Sequence, residues 1–139
     1  MTALASPRVL IVDDNALNIM LAQTVLQAEA FEVESASDGA EALRKVASFQ
    51  PDLVLMDIQM PGVDGLDVTR TLKADPALRG IRVVAFTAFA MRGDEARLRA
   101  AGCDGYLSKP IDVRRFGAQV RACLAAPVND PSKPFSAAP

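Results

Sequence analysis

Short blocks of contiguous apolar residues alternate along the chain with longer segments whose apolar positions recur at helical spacing. A parallel sheet covered by helices on both faces produces this pattern. Val9-Leu10-Ile11-Val12 predict a first strand, Arg8 to Asp13, buried on both faces. Asn15 then stands where a helix cap belongs, and the helix runs to about Ala30. In it Leu17, Leu21 and Val25 recur every four residues as a buried stripe, with Ile19 and Met20 off that stripe. A weaker strand, Phe31 to Ser35, precedes Asp38-Gly39-Ala40-Glu41, whose acid-x-x-Glu spacing predicts a capping box and a helix to about Phe49. Pro51 blocks further helix, and Leu53-Val54-Leu55-Met56 predict a third strand ending at Asp57. The turn-rich stretch Met60-Pro61-Gly62-Val63-Asp64-Gly65 opens a helix near Asp64 that extends to about Ala74. Ile81 to Phe86 predict a fourth strand ending at Thr87, and a polar, alanine-rich helix follows from about Arg92 to Ala101. A short strand, Gly105-Tyr106-Leu107, ends at Ser108 and Lys109. The last helix, Asp112 to about Ala125, buries Phe116, Val120 and Leu124.

Five strand-helix units predict an α/β fold: a doubly wound, five-stranded parallel sheet in the order 2-1-3-4-5, of the flavodoxin-like (βα)5 type. A chain of 139 residues, half of them hydrophobic, buries one core and is too short for two ordinary domains. The domain is expected over residues 8–125, after a short extension at 1–7. The stretch 126–139 carries four prolines among small and polar residues, lacks any apolar period, and reads as a disordered tail. No further module, such as a DNA-binding helix pair, is visible, so output is expected through partner contacts.

Charge and composition narrow the chemistry. A formal charge of -2 supplies no net attraction for a phosphate backbone or an anionic bilayer, so neither nucleic acid nor membrane is an expected direct partner. No apolar run approaches the roughly 20 residues that span a bilayer, and no leader pattern opens the chain, which predicts a cytoplasmic protein. Cys103 and Cys123 lack metal or redox spacing and read as free thiols. The chain has no histidine, which removes Ser-His-Asp and Cys-His catalysis and every His-ligated metal site. What remains is chemistry on carboxylates, hydroxyls and lysine.

Those groups fall where an open parallel sheet gathers its ligands, beyond the carboxyl ends of the strands at the switch in strand order. Asp13 and Asp14 end the first strand, Asp57 the third and Thr87 the fourth, while Lys109 follows the fifth. In the order 2-1-3-4-5 the first and third strands are neighbours, so three carboxylates meet in one pocket. Their mutual repulsion calls for a cation, and an all-oxygen set with room for water suits magnesium or manganese. Asp57 is then the natural nucleophile for an acyl phosphate, with Lys109 as a point donor to a phosphoryl oxygen and Thr87 as a hydroxyl donor. Each residue taken singly has a plainer explanation. Asp13 and Asp14 are able to cap a helix, Thr87 to end a strand, Lys109 to sit in solvent, and Tyr106 to be a half-buried aromatic on an edge strand. Their coincidence makes the set specific.

The stretches Val9-Leu10-Ile11-Val12-Asp13-Asp14-Asn15, Leu55-Met56-Asp57-Ile58-Gln59-Met60-Pro61-Gly62, Ala85-Phe86-Thr87-Ala88 and Gly105-Tyr106-Leu107-Ser108-Lys109-Pro110 resemble the receiver domains of bacterial response regulators, over about Arg8 to Leu124. Thr87 to Glu95 and Gly102 to Tyr106 further resemble stand-alone cell-cycle regulators of the DivK type. The resemblance implies a phosphoacceptor at Asp57 and a magnesium site made by Asp13, Asp14, Asp57 and the backbone carbonyl of Gln59. It also implies a switch formed by Thr87 and Tyr106, phosphate binding by Lys109, and a cis bond between Lys109 and Pro110. By the same resemblance the protein is not an enzyme with a separate substrate: it catalyses its own phosphotransfer and autodephosphorylation. The implied partners are a histidine kinase or histidine phosphotransfer protein and a downstream protein target, with the receiver a monomer or weak dimer.

Rival readings fare less well. A haloacid-dehalogenase-like phosphatase needs a second acid two residues after its nucleophile, where Gln59 stands after Asp57 and Asn15 after Asp13. A flavodoxin-like cofactor site would place a phosphate loop where Asp13 and Asp14 repel it. The alternatives are a phosphorylation-independent interaction module of the same fold and a receiver excised from a hybrid histidine kinase. Two further expectations concern motion and docking. The Arg92 helix, anchored mostly by alanine, is expected to shift at low cost on phosphorylation, together with the Tyr106 strand and the last helix. Ile19 and Met20, off the stripe and beside the acids, are expected to receive a donor's phosphohistidine helix.

Overall fold

A computed structural model describes residues 6–58, 65–87 and 92–125, with side chains left undescribed at 92–95. Its elements run β1 (Arg8–Val12), α1 (Ala16–Ala28), β2 (Glu32–Ala36), α2 (Gly39–Phe49), β3 (Leu53–Asp57), α3 (Gly65–Ala74), β4 (Arg82–Thr87), α4 (Arg92–Ala101), β5 (Gly105–Ser108) and α5 (Phe116–Ala125). The five strands form one parallel sheet in the order β2-β1-β3-β4-β5. Strand side chains alternate between faces, so each contiguous apolar run feeds two cores. Leu10, Val12, Val54, Met56, Val83 and Ala85 pack with residues of α2, α3 and α4 on one face. Val9, Ile11, Leu53, Leu55, Val84 and Phe86 pack with α1 and α5 on the other.

Local signals set the helix starts. The Asn15 side chain accepts the backbone N–H groups of Leu17 and Asn18 at 2.9 and 3.1 Å, capping α1. At α2 the Asp38 carboxylate accepts the Glu41 N–H at 2.8 Å, while the Glu41 carboxylate accepts the N–H of Ser37, one residue before the cap. The α5 helix begins at Phe116, not at Asp112. Asp112 instead starts a turn, accepting the Arg114 N–H on its side chain and the Arg115 and Phe116 N–H groups on its carbonyl.

Two packing expectations are corrected. Leu17 and Leu21 do not form the buried stripe of α1: Leu17 is 67 % exposed and Leu21 38 %, whereas Ala22 and Leu26 are fully buried and Ile19 and Val25 pack against the core. The helix is apolar almost all round, so four-residue spacing alone did not reveal which stripe turns inward. The α4 helix is anchored by Leu98, buried in the core beside Ala101, and not by alanine alone. The expected start of the third helix at Asp64, and the tail at 126–139, lie outside the described residues.

Candidate functional site

The carboxyl ends of β1 and β3 lie side by side, with Val12 paired to Met56, so Asp13 and Asp57 emerge next to each other. Asp13 is fully buried and Asp57 is 4 % exposed, while Asp14 faces solvent. One carboxylate oxygen from each of the three lies within 4.8 Å of the others. The Lys109 Nζ, arriving from the end of β5, stands 3.0 Å from Asp13 Oδ2 and 3.4 Å from Asp57 Oδ2. Asp13 also serves the local fold. Its Oδ1 accepts the Asn15 N–H at 2.9 Å, and so ties the acid pair to the start of α1 without itself capping the helix.

Two backbone contacts, one at Lys109 and one at Gly65, hold this geometry. The Lys109 N–H donates to the Thr87 carbonyl at 2.8 Å, joining the exits of β4 and β5, and the Lys109–Pro110 bond is cis. Gly65, the first residue of α3, packs directly on the backbone of Asp57 and Ile58, where any Cβ would collide with the Asp57 carbonyl. The close approach of α3 to the end of β3 therefore requires glycine. Thr87 is buried at the end of β4. Tyr106 is half-buried on the edge strand, paired in register with Ala85 and packed against the α2–α4 core. Gln59 lies outside the described residues. The structure thus brings Asp13, Asp14, Asp57 and Lys109 into one pocket, and Thr87 is joined to it through its carbonyl, which accepts the Lys109 N–H.

Sequence reasoning missed the support beneath the lysine. The Lys109 ammonium sits 5.1 Å from the centroid of the Phe86 ring, which in turn lies 5.9 Å from the ring of Phe116. The apolar run that contains Phe86 signalled a strand and a core position, but not what its ring would face.

Three acids at the carboxyl ends of the first and third strands of a 2-1-3-4-5 sheet, faced by a lysine after the fifth, define a receiver of two-component signalling. The chain belongs to the response regulator receiver domain family, which it matches over residues 9–121. It is similar to the polar-differentiation response regulator DivK of Brucella anthropi, 49 % identical over 116 residues that cover 84 % of this chain and 94 % of that protein. The DivK of Brucella ovis matches with the same identity and coverage. Among solved structures, the chemotaxis response regulator CheY4 of Vibrio cholerae superposes with a TM-score of 0.80 over 85 % of this chain and 98 % of that one. At 24 % identity this likeness speaks for the fold alone. The signal receiver domain of a signal transduction histidine kinase from Syntrophus aciditrophicus gives a TM-score of 0.76 at 29 % identity, over 86 % of this chain and 91 % of that one. No helix among the described residues is long and apolar enough to cross a membrane.

Proposed function

We propose that Asp57 is the phosphoacceptor of a receiver unit spanning residues 8–125, and that phosphorylation there changes which protein partner binds. The observation that carries this reading is the burial of Asp57 beside Asp13 and Lys109, with Lys109 Nζ within 3.4 Å of both carboxylates. A buried acid so placed is shielded from water yet opens, through exposed Asp14, towards an incoming donor.

Transfer requires an Asp57 oxygen to attack the phosphorus of a donor's phosphohistidine. The O–P bond forms as the P–N bond breaks, and the electron pair leaves with the donor's imidazole. Lys109 then exchanges a carboxylate contact for a phosphoryl oxygen, and the Thr87 hydroxyl donates to another. The donor set fits a hard divalent cation, since it is all oxygen and, among the described residues, sets three carboxylates against one lysine. Asp13, Asp14, Asp57 and the backbone carbonyl of Gln59 would hold magnesium, or manganese, which supplies charge neutralisation for the phosphoryl oxygens. Once Thr87 turns to the phosphoryl group, Tyr106 moves into the space behind it, and β5, α4 and α5 present a changed surface.

The donor is a histidine kinase or a histidine phosphotransfer protein, met in the cytoplasm. The docking surface on α1 differs from the sequence expectation, because Ile19 packs on the core while Leu17 and Met20, 67 % and 56 % exposed, stand out near the acids. Val113, 54 % exposed between β5 and α5, adds a further apolar contact for a donor helix. The DivK relatives of Brucella, named polar-differentiation response regulators, support a role as a response regulator in polar differentiation. The test is intact mass after incubation with magnesium and acetyl phosphate. The native chain should gain one phosphoryl group and Asp57→Asn none. An unmodified native chain that is folded and magnesium-loaded would sink the reading in favour of a phosphorylation-independent module.

A further inference from the structure

The lysine of the acid pocket is held from two sides. Asp13 and Asp57 face its ammonium at 3.0 and 3.4 Å, and the ring of Phe86 stands behind it at 5.1 Å. Phe86 is the penultimate residue of β4, almost wholly buried, and its register partners are Asp57 on β3 and Leu107 on β5. Its ring belongs to the core beneath α1 and α5, where Phe116, the first residue of α5, lies against it at 5.9 Å with 32° between planes. That packing leaves the Phe86 ring little freedom to turn away from the lysine.

We propose that Phe86 is a positioning residue for phosphotransfer, whose π face holds the Lys109 ammonium over the pocket while leaving it free to change partners. The inference rests on reading Asp57 as the phosphoacceptor. The lysine must exchange a carboxylate for a phosphoryl oxygen during the reaction. A formal negative charge behind it would trap the ammonium in place, and an aliphatic side chain would fill the volume without attracting it. An aromatic face attracts the cation through its quadrupole, most effectively where water is excluded, and carries no formal charge that competes with the phosphoryl group. Because Phe116 backs the ring at the first turn of α5, the same stack connects the lysine's position to that helix.

The test replaces Phe86 with phenylalanines bearing one to five ring fluorines, which weaken and finally reverse the face potential with little change of shape. Phosphorylation of Asp57 by acetyl phosphate should slow with each fluorine, reaching about two- to fivefold in the fully fluorinated chain. The 15N resonance of the Lys109 ammonium should move in the same order, with no phosphodonor present and the backbone amide spectrum unchanged. A rate that ignores fluorination, or a Lys109 resonance that stays put, would overturn the inference, since a packing role alone predicts both. The resonance is read without phosphorylation, so a native chain that never gains a phosphoryl group removes the phosphoacceptor reading and leaves the contact itself separately measured.

Discussion

Two lysine–aspartate contacts lie at opposite ends of the same sheet, and they are built for opposite purposes. At the amino end of β4 and β5, Lys73 Nζ meets the buried Asp104 Oδ2 at 2.7 Å and also donates to the carbonyls of Arg79 and Ile81 at 2.9 and 2.8 Å. The same Asp104 oxygen accepts the Val83 N–H at 2.9 Å, and the Asp104 N–H returns to the Val83 carbonyl at 2.7 Å. The lysine's donors are spent on protein oxygens. At the carboxyl end, Lys109 faces two buried carboxylates with a third, Asp14, opening to solvent beside them. Among the described residues, carboxylates outnumber ammonium groups in that pocket. The closed pair ties α3 to β4 and β5 as a structural clamp, whereas the open one suits the proposed cation and phosphoryl group.

The comparison breaks most visibly at Asp57, the proposed phosphoacceptor. Asp57→Asn should abolish the gain of a phosphoryl group in intact mass, while Lys73→Met should leave that gain in place wherever the variant remains folded. In stability the order reverses. Lys73→Met takes the ammonium away from a buried carboxylate and should cost about 3 kcal/mol, read as a lower midpoint of urea unfolding. Adding Asp104→Asn should recover part of it, because the amide oxygen still accepts the Val83 N–H.

Magnesium sharpens the contrast by a smaller amount. At tenfold above its dissociation constant it should stabilise the native chain, and equally the Lys73 variant, by about 1.4 kcal/mol. In Asp13→Asn that gain should shrink, and unfolding midpoints with and without chelator measure it. The smallest effect concerns the clamp's neighbour Cys103, whose thiol burial pushes up to about 12, with a hydrogen bond to Thr69 only partly offsetting it. Burial raises Cys123 to about 11. Both thiols stay protonated near neutral pH, so alkylation should be slow there and accelerate only as pH rises towards those values. Loosening the clamp with Lys73→Met should speed labelling of Cys103 more than of Cys123.

Much of the architecture was legible because the signals are local. Contiguous apolar runs in strands such as Val9-Leu10-Ile11-Val12 specify burial on both faces, and the caps at Asn15 and Asp38 were readable from residue type and spacing. The acid pocket was legible too, since Asp13, Asp14, Asp57, Thr87 and Lys109 each occupy a strand end and the strand order makes neighbours of the ends that matter. The inward face of α1 was not. Leu17, Ile19, Met20, Leu21, Ala22, Val25 and Leu26 offer several stripes of equal spacing, and contact with Phe31 and the α5 residues selects the one through Ala22 and Leu26.

The sequence by itself therefore determined the order and type of the elements, their pairing into a doubly wound sheet, and the residue types that gather at its carboxyl edge. Only the tertiary structure decided which α1 side chains stay exposed, that Lys73 closes on Asp104, and that the ring of Phe86 lies behind Lys109. The reason is physical. A residue pattern encodes the period of an element and the polarity of its faces, but the rotation of a helix about its axis and the meeting of chain-distant side chains are set by how the packed layers fit.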